Sequence, residues 1–465
     1  MAAQLTQGED PYALRPDCTD SAPPRFRIKP GKTLSSRAWY GAFNEQGQLN
    51  LDKVLKRIRR GGVDPAIRAE VWEFLLGCFG PSSTAPERDA LRASRREQYA
   101  KLKAECQVMD NLVGSGQIAT SPRINEDGSP VEEYNKDMNR GYQQTSKASS
   151  EKQDAKTIQW RLNLHQIGLD VVRTDRMLQF YASQEHMSKL WDILAVYCWL
   201  DPAIGYCQGM SDFCSPLALM FQDEADAFWC FERIVSRVRD NFSCTDKEVG
   251  VQKQLGVLAT LLKVLDPKLH EHIDSIGGGN YIFAFRMIMV LFRREFSFVD
   301  TLYLWEMMWA LEYSPSSIQD VSVTRTWSLR RRYKGRGKYE AQNEKYGASR
   351  MPGGKAPLSL FCAIAIFEMQ RNRLLNEAQG LDEVLKLLND VTGKIDPKEA
   401  CRLALDLHSK YLRTVSVICL VFSLNLSKGS VFFLVFVFTV GMPFPSIVPY
   451  HLLNHYPLHF LLRYY

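Results

Sequence analysis

The sequence lacks the marks of several large classes of protein. No two of its eleven cysteines form a C-x-x-C pair, and they are scattered along the chain, so a disulfide framework is not expected. Cys198, Cys230 and Cys362 lie inside apolar helical patterns, where buried, reduced thiols are the expectation. The formal net charge is only +6 over 465 residues, a mild average rather than the concentrated basic face that phosphate neutralisation needs, and nucleic acid is not expected as a partner. The opening MAAQLTQGEDPYALRPD has no charged-then-apolar pattern, so secretion is not expected. There are no convincing alternating strands and no repeat of fixed period. Gly31-Lys32-Thr33 resembles the end of a phosphate loop. The glycine needed five positions earlier is replaced by Phe26, and Pro30 interrupts the approach, so the chain is not expected to bind GTP itself.

What is present is helical. Hydrophobic residues make up 45% and charged residues 24%, ordinary for a soluble globular protein. Residues 1–50 are Pro-rich and polar and read as a loosely ordered lead-in. From Leu51, apolar residues recur at three- and four-residue steps: Val54, Leu55 and Ile58, then Ile67, Val71, Trp72, Leu75 and Leu76. Arg88 to Cys106 is charged enough for a solvated helix. Met187, Leu190, Trp191, Leu194 and Cys198 share one face of a helix that should stop at Asp201-Pro202. Ile282 to Phe292 is apolar almost all round and reads as a buried central helix. Ser297-x-x-Asp300 caps the next, and Asp396-Pro397-x-Glu399 opens the last. Two polar excursions, about 107–155 and 313–357, interrupt the pattern. Gly277-Gly278-Gly279-Asn280 reads as a helix-ending turn. The fold class is all-α.

After Arg413 the composition changes. Residues 414–465 are rich in Val, Phe and Leu and nearly uncharged. They read either as a membrane anchor or as read-through of an intron. A central Lys428, at about 2.5–3.5 kcal/mol on insertion scales, leaves Val431 to Val440 too short to span alone, which favours read-through. The cations between Arg325 and Lys338 read as a solvated loop or as a contact for anionic lipid.

Two short strings carry chemistry. Ile167-Gly168-Leu169-Asp170-Val171-Val172-Arg173 has the form I-x-x-D-x-x-R, and Tyr206-Cys207-Gln208-Gly209 the form Y-x-Q-G. Taken singly each has a bland account. Asp170 and Arg173, one helical turn apart, make a local ion pair worth a few tenths of a kcal/mol, and Tyr206 packs against the preceding helix.

Together they resemble the TBC domain family, helical GTPase-activating proteins for Rab GTPases. Arg60-Gly61-Gly62-Val63 with Arg68 and Val71-Trp72 is similar to the family's opening helix. Gly205 to Asp212 (GYCQGMSD) is similar to its second signature. Phe285-Arg286, Arg294-Glu295-Phe296 and Leu304-Trp305-Glu306 resemble its C-terminal half, and Phe361 to Arg371 its closing helix. The resemblance runs from about Gly62 to Leu375 and implies a two-lobed, multi-helix domain over 51–413. It also implies that Arg173 and Gln208 are fingers offered in trans to a Rab-type GTPase in its GTP form. Asp170 would hold Arg173, and Ile167, Tyr206 and Gly209 would support the two strings. The resemblance implies no cofactor of the chain's own, since GTP and Mg belong to the partner. It implies a cytoplasmic protein working in vesicle trafficking, at endomembrane surfaces. The alternative is a non-catalytic Rab-binding module or a membrane-tethered scaffold.

Overall fold

The computed structural model describes residues 12–18, 23–126, 129, 131, 155–242, 250–313, 338–345 and 356–427, with side chains left out for a few of them near 340–345 and beyond 415. Helices carry the fold, and two hydrophobic cores organise them. The first core is enclosed by α1 (Ser36–Tyr40), α2 (Leu51–Gly61), α3 (Arg68–Leu75), α4 (Ala85–Met109), α5 (Ala155–Val171), α6 (Gln184–Leu200), α7 (Met210–Met220) and α8 (Glu224–Phe242). The second core is enclosed by α9 (Gly250–Leu265), α10 (Pro267–Ser275), α11 (Phe285–Met289), α12 (Phe298–Glu312), α13 (Lys338–Lys345), α14 (Leu358–Met369), α15 (Arg371–Glu377), α16 (Leu381–Asp390) and α17 (Pro397–Ser427).

The helix boundaries follow local chemistry. Thr84 and Glu87 form a reciprocal capping box that starts α4. Ser297 Oγ accepts from the Asp300 amide to start α12, and Asp396 accepts from the amides of Lys398 and Glu399 to start α17. α6 ends at Leu200, ahead of Asp201-Pro202. Gly277, at φ +85°, turns the chain after α10.

The buried central helix is α12, and the sequence reading had placed it one element too early. One side of α12 (Phe298, Leu302, Trp305, Trp309) lies in the first core and another (Leu304, Met307, Met308, Leu311) in the second, so it is apolar all round. Ile282 to Phe292 is instead a short 3-10 turn, α11 and a reversal with Leu291 and Phe292 at positive φ. Its apolar residues are shared between lobes: Val290 and Leu291 go to the first core, Ile288 and Phe292 to the second. The carbonyls freed by the reversal are satisfied by side chains. Asn241 Nδ2 donates to Ile288 O (3.0 Å) and Trp305 Nε1 to Leu291 O (2.8 Å).

The lead-in and the excursions also depart from expectation. Tyr12, Leu34 and Trp39 are buried in the first core and Phe26 in the second, because these are apolar residues in an otherwise polar stretch. Ala119 of the first excursion is buried too. α13 sits inside the second and buries Tyr339 against Phe361 and His408. The remainder of that excursion, including the cations at 325–337, lies outside the described residues. So does the tail beyond Ser427, and both readings of it with it. Among the described residues no helix is long and apolar enough to cross a membrane.

A buried ion pair joins α3 to α12. Arg68 Nε lies 2.6 Å from Glu306 Oε1, and both side chains are fully buried. Trp72 Nε1 and the Val63 amide also donate to Glu306 (3.1 Å each), while Arg68 Nη1 donates to Tyr12 Oη at 2.6 Å. Burial works against the Arg68 charge, but Glu306 and Tyr12 together more than offset it and hold the guanidinium more firmly protonated than usual.

Candidate functional site

The first string ends α5. Ile167 is fully buried and anchors the helix. Gly168 is required by contact: a Cβ there would lie 1.7 Å from Ala119 O. The helix then unwinds, with the amides of Arg173 and Thr174 both donating to Asp170 O (3.1 and 2.9 Å). Asp175 follows at φ +47°, in the left-handed region that L residues seldom occupy.

The second string is a turn between α6 and α7. Gly205 stands at φ +63° and Gly209 at φ +103°. A Cβ on Gly209 would lie 2.7 Å from Val290 Cγ1, so the turn that presents Gln208 is pressed against the crossing between the lobes. Gly209 also precedes the first residue of α7.

The carboxylate of Asp170 brings the strings together. Its Oδ1 accepts from Arg173 Nε (3.0 Å) and Nη2 (2.5 Å), and its Oδ2 accepts from Tyr206 Oη (2.6 Å). A second bond, Thr174 Oγ1 to Ser211 Oγ at 2.9 Å, ties the residue after Arg173 to the first turn of α7. Asp170 is buried, whereas the Arg173 side chain is 56% exposed and Gln208 is exposed. Among the described residues the Gln208 side chain has no hydrogen bond. Burial and the neighbouring Asp170 charge push the Tyr206 phenol far above its ordinary range, so it stays a donor to Asp170.

A further layer lies beneath, and the sequence reading missed it. Asp175 accepts from Arg293 Nη2 and from Ser215 Oγ (2.5 Å). The Arg293 guanidinium, itself buried, lies 4.7 Å from the centre of the Phe298 ring. Arg294 pairs with Asp212 at 3.0 Å, and burial raises the Asp212 carboxyl against the pull of Arg294 and Arg293. The lead-in contributes as well: Arg15 N donates to Met177 O and Gln179 N to Ala13 O, each at 2.8 Å. The turn that carries Arg173 is thus held on three sides by polar contacts. The signals for them were faint: a lone Asp175, a Ser215 in an apolar helix, and Arg293 beside the quoted Arg294-Glu295-Phe296.

Of the six residues singled out from sequence, Asp170, Arg173 and Tyr206 meet directly. Gln208 lies two residues from Tyr206 on the same turn, Ile167 packs below, and Gly209 shapes the turn. The arrangement presents a cation and an amide, both reachable from solvent, on a rigid buried base.

Comparison with known proteins gives this arrangement a family. The model of the Rab-GTPase-TBC domain matches residues 65–329, so both strings fall inside it. Human TBC1 domain family member 17 is 30% identical over 83% of this chain and 47% of its own length. Rab GTPase-activating protein 22 of Arabidopsis thaliana is 28% identical over 83% of each. The chain therefore spans about half the length of the human relative. The crystal structure of the Ypt/Rab-GAP domain of Gyp1p is similar in fold, with a TM-score of 0.53 at 16% identity, covering 80% of this chain and 96% of that one. Together with the two strings joined at Asp170, the match over more than half the chain shows that this protein belongs to the Rab-GTPase-TBC domain family.

Proposed function

We propose that the chain is a GTPase-activating protein for a Rab-type GTPase in its GTP form, with Arg173 and Gln208 as its two fingers. The observation that carries this reading is the Asp170 carboxylate, which holds the arginine on one oxygen and the tyrosine of the glutamine turn on the other. The names of the relatives, a Rab GTPase-activating protein among them, support it.

The chemistry follows from the two side chains. A small GTPase alone hydrolyses GTP slowly, because charge building on the transferring phosphoryl group is incompletely stabilised and the attacking water is loosely held. Arg173 supplies a permanently charged, planar fork of donors to those oxygens. In the free protein that fork rests on the buried Asp170, but the guanidinium end of the pair is open to solvent, and Asp170 keeps the Tyr206 hydroxyl as a donor when the arginine leaves. The guanidinium can therefore move to a more highly charged acceptor at little cost. The Gln208 amide both donates and accepts, so it can orient the attacking water. GTP and Mg come with the partner. The reading places the protein in the cytoplasm, in vesicle trafficking.

The test is single-turnover hydrolysis by a panel of GTP-loaded Rabs with the full chain. Wild type should accelerate at least one of them, and Arg173→Ala should lower the rate by about 10³-fold or more. Arg173→Lys keeps the charge but loses the fork, so it too should be severe, as should Gln208→Ala. A chain that bound GTP-loaded Rab yet left hydrolysis unchanged would be the non-catalytic binding module instead.

A further inference from the structure

The mild net charge conceals a local excess. Residues 25–60 contain ten Lys and Arg against two acids, Glu45 and Asp52, so the remainder of the chain is slightly acidic. The fold sets several of these cations around one helix. On α2, Lys53, Lys56, Arg57 and Arg60 fall at i, i+3, i+4 and i+7, one stripe of a helix whose other stripe (Leu51, Val54, Leu55, Ile58) is buried. The 29–33 turn is seated on the same helix. Arg57 Nη1 reaches Gly31 O at 3.4 Å, and a Cβ on Gly61 would lie 2.7 Å from the Lys32 carbonyl carbon. Lys398, at the start of α17, donates to Arg60 O at 2.9 Å and extends the face.

Two properties mark this face. Many arginines elsewhere find carboxylates, among them Arg92, Arg173, Arg239, Arg286, Arg294 and Arg371. Among the described residues, the cations of the α2 stripe and Lys32 and Arg37 have none. Between α1, α2 and the 31–35 segment lies an open groove of about 480 Å³, lined by Arg37, Lys53 and Arg57 together with Gly31, Leu34 and Ser35, with no acid on its walls. Beside it stand two large apolar side chains that are more than half exposed, Ile28 and Tyr40.

We propose that this face docks the protein on an anionic lipid bilayer. Long, unpaired cations spread over three segments suit a diffuse negative surface, where each contributes independently and none needs a fixed partner. The open groove admits a phosphate-bearing headgroup, and Ile28 and Tyr40 suit the boundary between headgroups and acyl chains. Lys32, Lys53 and Lys56 fit a protein partner poorly, since lysine is depleted at the centres of such interfaces, whereas lysine and arginine serve an anionic bilayer alike. This inference does not depend on the GTPase reading, and its primary readout, binding to vesicles, needs no GTPase.

The experiment is co-sedimentation of the full chain with vesicles of phosphatidylcholine alone or with added phosphatidylserine, at low and high salt. The wild type should bind the serine-containing vesicles and be released by salt. The triple variant Arg37→Glu/Lys53→Glu/Arg57→Glu should lose about 10⁴-fold in partitioning, and the milder Arg37→Gln/Lys53→Gln/Arg57→Gln about 100-fold. The control Arg330→Glu/Arg331→Glu/Arg332→Glu should bind as wild type, and melting curves should be unchanged for all three. Several results would overturn the proposal. Equal binding to neutral vesicles would assign the contact to the apolar tail. Loss in the 330–332 variant with retention in the groove variants would assign it to that run. Groove variants that bind vesicles normally but no longer bind GTP-loaded Rab would assign the face to a protein.

Discussion

Arg68 and Arg173 each pair with a carboxylate, and the two pairs differ in nearly everything else. Arg68 and Glu306 are fully buried, and tryptophan, tyrosine and backbone groups complete their hydrogen bonds. In the second pair only the acid is buried: Asp170 is 8% exposed and Arg173 56%. Burying both partners makes a fixed joint, since either charge left alone would be costly. Burying only the carboxylate makes a cradle, from which the cation can leave while its base stays put. The same two functional groups thus lock α3 to α12 in one place and offer a mobile charge in another.

The largest effect should come from breaking the fixed joint. Glu306→Leu leaves the Arg68 charge buried without a counter-ion, and should cost about 3–5 kcal/mol in urea-induced unfolding. Adding Arg68→Met should recover part of that loss, and only part, because the Val63 amide and the Trp72 indole N–H have still lost Glu306 as their acceptor. No such repair should exist at the other pair. Asp170→Ala should lower the rate of accelerated GTP hydrolysis by about 10–100-fold, since it removes both the rest for Arg173 and the anchor for the glutamine turn. If Asp170→Ala cost as much stability as Glu306→Leu while leaving the rate intact, the contrast between cradle and joint would collapse.

Tyr206→Phe sharpens the comparison further. It removes one hydroxyl from the cradle and leaves the Arg173–Asp170 pair untouched. The expected loss is about tenfold in hydrolysis rate with the melting temperature nearly unchanged, close to what one hydrogen bond to a charged group is worth. An unchanged rate would mean that the Gln208 turn needs no help from Asp170.

The parts of this design that were legible in the sequence are those written by local chemistry. Helix starts at Ser297 and Asp396 and the stop at Asp201 follow from side chains adjacent to the backbone they cap, and each is found as read. The two strings were visible as strings, and the resemblance supplied their meaning. Their junction at Asp170 was not visible, because Tyr206 is 36 positions away and no local pattern encodes that meeting. Ile282 to Phe292 shows a second limit. An apolar run says only that its residues are buried, and here two cores divide them, so the helix breaks where a periodicity argument continues it. The lead-in shows a third: Tyr12, Leu34 and Trp39 are single apolar residues in a polar stretch, too sparse for a period, yet each fills a place in the first core. Averages mislead in the same way, since a net charge of +6 gave no hint of ten cations crowded between residues 25 and 60.

An effect smaller than that of the fixed joint, and visible only as a pH dependence, belongs to a third pair, intermediate between the other two. Glu73 and Arg92 lie 3.0 Å apart with side chains 10% and 30% exposed. Burial outweighs Arg92 here and pushes the Glu73 carboxyl up from 4.5 to about 7. The folded chain therefore holds this proton to higher pH than the unfolded chain. Folding takes up a proton between those values, and stability falls as pH rises through them. Replacing the acid by Glu73→Gln should flatten that part of the pH profile, leaving the variant less sensitive than wild type by about 2–3 kcal/mol between pH 5 and 8, as read from urea midpoints at each pH. A wild type whose stability instead rose across that window at this site, with Glu73→Gln lowering it at high pH, would mean that Arg92 wins. The pair would then be a second fixed joint rather than an acid held short of full ionisation by its surroundings.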